Sequence, residues 1–296
     1  MIKFNKISVV DHIKITDEAE AKLQELSVEK IRFPTGNAGS KDEYIKRIGD
    51  ADAVIGSWVT TINEGILASA KNIKYIGICG TSLANIDIQA VEKRGITLRN
   101  VTDYGDEATA EYIFMQLLIL FRGYGKYQWK KQPSELFRRA IGIVGLGAVG
   151  QEVARLALGF GMMVYYYSRS RKSEWEEKGL VYKKLHDILM ISDIISLHVP
   201  KNLAILSEDE FRIIRPNTVL VDTSLGAVVD RNAFQTWIEK KENYYICDIN
   251  KKDFFGDVVP DRVIGLSDPI AGITIESRQR LSEKFLHNIK SYLAAT

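Results

Sequence analysis

Three glycines at one spacing offer the clearest chemistry in this chain. Gly145, Gly147 and Gly150 stand in IGIVGLGAVGQEVARLALGFGMMVYYYSRSR, which runs from Ile141 to Arg171. The stretch reads as an apolar strand (Ile141 to Gly145), a turn, a helix through Leu158 and a second strand ending at Tyr167. A GxGxxG pattern acquires meaning in that context. Gly145 allows the tight turn, Gly147 lets backbone come close to a pyrophosphate, and Gly150 lets the helix pack on the strand. The free N–H groups of the first helical turn, at Ala148 and Val149, suit an anion at the positive end of the helix dipole. The spacing predicts a dinucleotide site.

The end of the second strand bears on which dinucleotide. An NAD site places Asp or Glu about twenty residues beyond the glycines, to accept from the ribose hydroxyl. Eighteen residues past Gly150 stands Ser168, followed by Arg169, Ser170, Arg171 and Lys172. A carboxylate would repel a 2′-phosphate, whereas a hydroxyl beside guanidinium groups attracts one. The expected cofactor is NADP(H) in preference to NAD(H).

These residues need a frame of alternating strands and helices. In the first third, strands are expected at Lys6 to Val10, Lys30 to Phe33, Ala53 to Ser57, Ile73 to Cys79 and Ile96 to Val101. Amphipathic helical patterns separate them, which implies a parallel sheet covered on both faces. The helix from Asp103 to Phe121 is apolar almost all round and is expected to be buried on every side. The basic, aromatic connection RGYGKYQWKKQPSELFRR that follows reads as a surface loop. From Ile141 to Ser267 the alternation resumes, and the last helix, Thr274 to Leu293, is expected to cover the first domain. The fold class is α/β, with two Rossmann-like domains: a flavodoxin-like one, 1–101 plus 274–296, and a dinucleotide-binding one, 102–273. Ligands in such sheets bind beyond the carboxyl ends of the strands. That places Ser168, His198, Ser224 and Asn250 at a crevice.

The bulk numbers narrow the classes. The 296 residues suffice for two domains, and 46% hydrophobic with 26% charged residues is an ordinary globular balance. A net charge of +2 without a clustered basic face argues against nucleic acid as a partner. Cys79 and Cys247 lie in apolar runs and read as core residues of a reducing compartment. No metal-ligand spacing is present, and no apolar run approaches a membrane span. A cytoplasmic protein is expected.

The ordered segments ASAKNIKYIGICGTSLANIDIQAVEKRGITLRNV, YGDEATAEY, IGIVGLGAVGQEVA, SDIISLHVP, VDTSLGAVVD, CDIN and PIAGIT resemble the D-isomer-specific 2-hydroxyacid dehydrogenase family over nearly the whole chain. The resemblance implies a discontinuous substrate domain, a homodimer formed through the cofactor domains, and NADPH preference from YSRSR. It also implies that Asp248 holds the nicotinamide carboxamide, that Thr223 and Ser224 present backbone to its ring, and that His198, Val199 and Pro200 line the cofactor.

The chain departs from the family where that family does its chemistry. The substrate-gripping arginine position is Leu225, and the acid–base histidine position is Pro269. The glutamate that tunes the histidine is replaced by Asp253. A positioned acid or base contributes about 10²- to 10⁴-fold, so ordinary 2-oxo acid reduction is not expected. Tyr104 and Asp268 are candidate proton donors, with Asp253, Lys251 and Lys252 behind them; His12 is near the first strand's end. Three outcomes stay open: a redirected reductase acting on an imine or a conjugated alkene, a catalytically silent NADP(H)-binding sensor or scaffold, and a relic that binds no dinucleotide.

Overall fold

The computed structural model describes residues 2–201, 203–240, 242–256 and 259–296. The chain is α/β and divides into two compact units, Met1–Tyr104 with Thr274–Thr296, and Gly105–Ile273. Each unit has its own parallel sheet.

The first unit runs β1 (Ile7–Val9), α1 (Asp17–Gln24), α2 (Lys41–Ile48), β2 (Ala53–Ser57), α3 (Glu64–Leu67), β3 (Tyr75–Cys79), α4 (Ile88–Lys93) and β4 (Thr97–Asn100). Its strands lie in the order β1-β2-β3-β4. Both central strands are buried at every position, as parallel strands covered on two faces must be. On one face Phe4, Ile55 and Tyr75 pack with Leu281, Phe285 and Ile289 of the C-terminal helix Ile275–Ala295. On the other, Ile48, Ile66 and Val91 pack against Val54, Ile76 and Ile78. The expected strand at Lys30 to Phe33 does not form. Only Ile31 of that run is buried, its N–H is taken by Gln24 Oε1 at 2.8 Å, and Pro34 ends the run without a donor.

The second unit runs α5 (Asp106–Arg122), β5 (Ala140–Val144), α6 (Ala148–Gly159), β6 (Met163–Tyr167), α7 (Ser173–Glu176), β7 (Val181–Tyr182), α8 (Leu185–Ile191), β8 (Ile194–Leu197), α9 (Glu208–Ile213), β9 (Val219–Asp222), α10 (Arg231–Ile238), β10 (Tyr244–Ile246), α11 (Lys252–Phe255) and β11 (Val263–Ile264). The strand order is β11-β10-β9-β8-β5-β6-β7. Order therefore reverses at β5, with β6 on one side and β8 on the other. The carboxyl ends of β5 and β8 are the place where such sheets open a binding crevice.

Two expectations for this unit need correction. Helix α5 is not buried all round: Ile113, Phe114, Leu117 and Phe121 face the core, while Met115 and Leu118 are 47% and 37% exposed. The connection after α5 is not a free surface loop. Trp129 and Leu136 are buried, Trp129 stacks on Phe121 with ring centres 4.2 Å apart, and its Nε1–H donates to Asn217 O at 2.8 Å. Tyr244 Oη donates to Gln128 O at 2.8 Å. Aromatic side chains with a polar tip can bury the ring and still satisfy the tip, which a reading by charge alone overlooks.

Candidate functional site

The glycine turn is fixed by two close approaches of backbone. At Gly145, φ is 98°, and a Cβ would lie 2.1 Å from His198 O. At Gly150 a Cβ would lie 2.1 Å from Gly145 O. Neither position tolerates a side chain without displacing main chain. Gly147 differs, because its φ of −83° is open to any residue and nothing lies within 4 Å of its missing Cβ. It is also the N-cap of α6, and no side chain caps that helix end. The orphan N–H groups of the first turn, with Ala148 and Val149, are thus left for a ligand to satisfy, beside a space that a Cβ would fill. These residues fit the pyrophosphate of a dinucleotide.

At the end of β6 the basic turn is partly self-satisfied. Ser168 Oγ donates to Ser170 O. Arg171 is not a free cation: Nε donates to Glu176 Oε1 at 2.9 Å, and Nη2 pairs with the other carboxylate oxygen. Tyr166 Oη also donates to Glu176 Oε1, at 2.7 Å. Arg171 first, then Tyr166, holds the Glu176 carboxyl down to about 2, so it is ionised at any ordinary pH. Arg169 is exposed, and among the described residues it makes no hydrogen bond or ion pair.

His198, at the end of β8, is partly buried and hydrogen-bonded through Nε2 to Ser196 Oγ at 2.8 Å. Its main-chain N–H donates to Val144 O at 2.8 Å. Burial pushes the imidazole down to about 4, which keeps it neutral. Val199 is partly buried and Pro200 is exposed beside it.

The loop after β9 rests on buried charges that the sequence did not disclose. Ser224 N–H donates to Asp222 Oδ1 at 3.0 Å, and Ser224 Oγ to Leu197 O at 3.2 Å. Beneath Thr223, Ser224 and Leu225, Lys251 Nζ lies 2.8 Å from Asp222 Oδ2 and donates to Gly226 O at 2.7 Å. Both side chains of the pair are 1% exposed, and Tyr245 Oη donates to the same Asp222 oxygen at 2.8 Å. Lys251 is therefore a structural cation and is not presented to a ligand. Leu225 is partly buried and brings no ionisable group.

Asp248, following β10, is buried. Its carboxylate accepts from Asn250 N at 2.9 Å and Ala271 N at 2.8 Å, while burial raises its pKa. Asp268 is tied to α5, its Oδ2 accepting from Gln116 Nε2 at 2.5 Å and Tyr112 Oη at 3.0 Å. Pro269 is exposed, as are Asp253 and Lys252 on α11. Tyr104 lies in the first unit, where its carbonyl accepts from Arg280 Nε at 2.9 Å. His12, in the same unit, is exposed with Nδ1 3.4 Å from Pro34 O.

The second unit thus brings together the glycine turn and His198, with the basic turn, Thr223, Ser224 and Asp248 at the ends of neighbouring strands. Among the described residues, no group of three His, Cys, Asp or Glu side chains could hold a metal ion, and no helix is long and apolar enough to cross a membrane. Sequence reading missed the anchoring role of Lys251 and the presence of Glu176 at the basic turn. The available signal for Lys251 was its position between an apolar strand and the pair Phe254 and Phe255.

Comparison with known proteins gives the site a context. Residues 120–253 match the family described as D-isomer specific 2-hydroxyacid dehydrogenase, NAD binding domain. A glyoxylate reductase of Thermococcus litoralis is 31% identical over 281 residues, covering 84% of this chain and 82% of the relative. An acyclic imino acid reductase solved in complex with NADPH and D-Arg superposes with a TM-score of 0.83 at 24% identity, over 98% of this chain and 97% of the other. D-lactate dehydrogenase from Aquifex aeolicus, complexed with NAD and lactic acid, gives 0.80 at 24% identity, over 98% and 96%.

Proposed function

This chain belongs to the D-isomer-specific 2-hydroxyacid dehydrogenase family, and from that premise we propose that it is a redirected reductase. It binds NADP(H) in preference to NAD(H) and delivers hydride to an acceptor that needs neither a carboxylate clamp nor an imidazole proton. The observation that carries cofactor binding is the uncapped N-terminus of α6 facing the open space at Gly147. The dinucleotide, when bound, supplies the hydride. The glycine turn binds its pyrophosphate. Ser168, Arg169, Ser170 and Arg171 receive the 2′-phosphate, Ser168 by its hydroxyl and the arginines by charge. Thr223 and Ser224 present backbone to the nicotinamide, and Asp248 accepts from its carboxamide. Neutral His198, with Val199 and Pro200, closes the crevice wall.

Leu225 and Pro269, at the family's arginine and histidine positions, argue for the change of acceptor. A ketone requires a proton at oxygen as hydride arrives at carbon, which the imidazole would supply. A protonated imine arrives with its proton already on nitrogen and needs hydride alone. An imine is therefore the favoured acceptor class, and the imino acid reductase with NADPH and D-Arg is a precedent within this fold. The first unit serves as the substrate domain, with the boundaries 1–101 plus 274–296 and 102–273. Met115, Leu118, Phe160 and Met163, exposed large apolar residues of the second unit, support a homodimer formed through that unit.

The test is titration of the full chain with NADPH and NADH, then NADPH oxidation against a panel of 2-oxo acids, imines and enoyl compounds. Tighter NADPH binding and turnover of an imine are expected. Fast reduction of pyruvate-like acids would overturn the reading. Tight NADPH binding with no hydride loss to any compound would move the chain to a sensor or scaffold.

A further inference from the structure

The basic turn after β6 carries its own anion. Glu176 holds Arg171 through Nε and Nη2, and it also accepts from Tyr166 Oη. That hydroxyl in turn accepts the Lys172 N–H at 2.7 Å, so one carboxylate secures both a side chain and, through Tyr166, the backbone of the turn. The guanidinium also lies over the Tyr182 ring, 5.5 Å from its centre. Glu176 is the more enclosed partner, its side chain 22% exposed against 67% for Arg171.

This arrangement has opposite consequences for the two dinucleotides. When the ribose carries no phosphate, Arg171 keeps its hydrogen-bonded counter-ion. When a 2′-phosphate arrives, it shares the guanidinium with a carboxylate a few ångströms away, and the two anions repel. We propose that Glu176 is a specificity-determining residue that narrows the discrimination between NADPH and NADH by serving as the internal counter-ion of Arg171. This rests on the reading that the turn at 168–171 faces the ribose 2′ position.

Glu176→Gln removes the charge while keeping the shape: an amide oxygen at the Oε1 position still accepts from Arg171 Nε and Tyr166 Oη, and the Nη2 contact is lost. The experiment titrates NADPH and NADH into the full-length wild type and E176Q at low and high salt. Removing one like charge from a solvated anion site is expected to tighten NADPH about fivefold and to leave NADH within about twofold. The gain should shrink at high salt. An equal change for both dinucleotides, or weaker NADPH binding, overturns the inference. Should E176Q fold poorly, Glu176→Asp, which draws the carboxylate back by one methylene, carries the same test with a smaller expected gain, about twofold for NADPH and none for NADH. A wild type without NADPH preference whose E176Q variant still responds selectively to the phosphate refutes the proposed cofactor preference and leaves this inference standing. A wild type that binds neither dinucleotide refutes both.

Discussion

Two loops of the second unit, after β5 and after β9, are built on opposite principles. The first, Gly145 to Gly150, is shaped by close approaches of backbone: a side chain at Gly145 or Gly150 would collide with a main-chain oxygen. The second, Thr223 to Gly226, is held from below by Asp222, Lys251 and Tyr245, a buried ionic network joined to the Gly226 carbonyl. A backbone cradle is preorganised for an anion and changes little with the rest of the chain. A loop resting on side chains can change the residues it presents, as we propose for Leu225, while its support stays in place. The cofactor site and the reaction site can therefore diverge separately within one sheet.

The largest effect is expected at the buried support. Lys251→Met leaves the Asp222 carboxylate without its cation in a 1%-exposed site, and breaking such a pair costs about 3–5 kcal/mol. Denaturant unfolding should show that loss, and pairing it with Asp222→Asn should recover part of it. A cost under about 1 kcal/mol would mean that the loop does not depend on the pair. His198 is expected to come next. Its folded pKa of about 4 lies below the value of 6.5 for an unstructured imidazole, so the folded chain binds fewer protons between these values. Its contribution is complete above about pH 6.5 and is lost as pH falls toward 4, by up to about 3 kcal/mol. Subtracting the pH–stability curve of His198→Gln from that of the wild type isolates this contribution. A flat difference curve would show that the ring is solvated.

The contrast also explains what could be read from sequence. Glycine turns are legible because the constraint selects one residue type, and continuous apolar runs set between amphipathic helical patterns revealed the alternation of parallel strands and helices. Leu225 and Pro269, proposed to stand at the family's arginine and histidine positions, were visible as residue types. Pairing was not visible, since Arg171 meets Glu176 only when α7 turns back toward β6, and Lys251 meets Asp222 only across neighbouring strands. Asp268 was legible as a carboxylate, but not the hydrogen bonds it accepts from Tyr112 and Gln116 of α5. Lys30 to Phe33 had strand composition without a neighbour to pair with, and Trp129 was masked by the lysines around it. Each error concerns a contact made by tertiary folding.

Two smaller effects separate binding from folding at the backbone loop and its neighbour. Gly147→Ala meets no atom within 4 Å and has an ordinary φ, so stability should stay within about 0.5 kcal/mol of the wild type. The added methyl occupies the space where pyrophosphate would approach, and dinucleotide affinity should fall about tenfold or more, for NADPH and NADH alike. Retained affinity in a folded G147A chain would show that the cradle is not the phosphate site.

Arg169→Gln should give the smallest change and the most selective one. The side chain is exposed and makes no hydrogen bond or ion pair among the described residues, so its removal takes nothing from the fold. Exposed charge contacts are screened and weak, which limits the expected loss of NADPH affinity to about two- to fivefold at low salt. NADH, lacking the phosphate, should be unaffected, and high salt should erase most of the difference. G147A and R169Q therefore predict different patterns for the same pair of ligands: equal loss at the backbone cradle, phosphate-dependent loss at the charged turn. If R169Q weakens both dinucleotides equally, Arg169 does not sense the 2′ position, and the proposed NADPH preference rests on Ser168 and Arg171 alone.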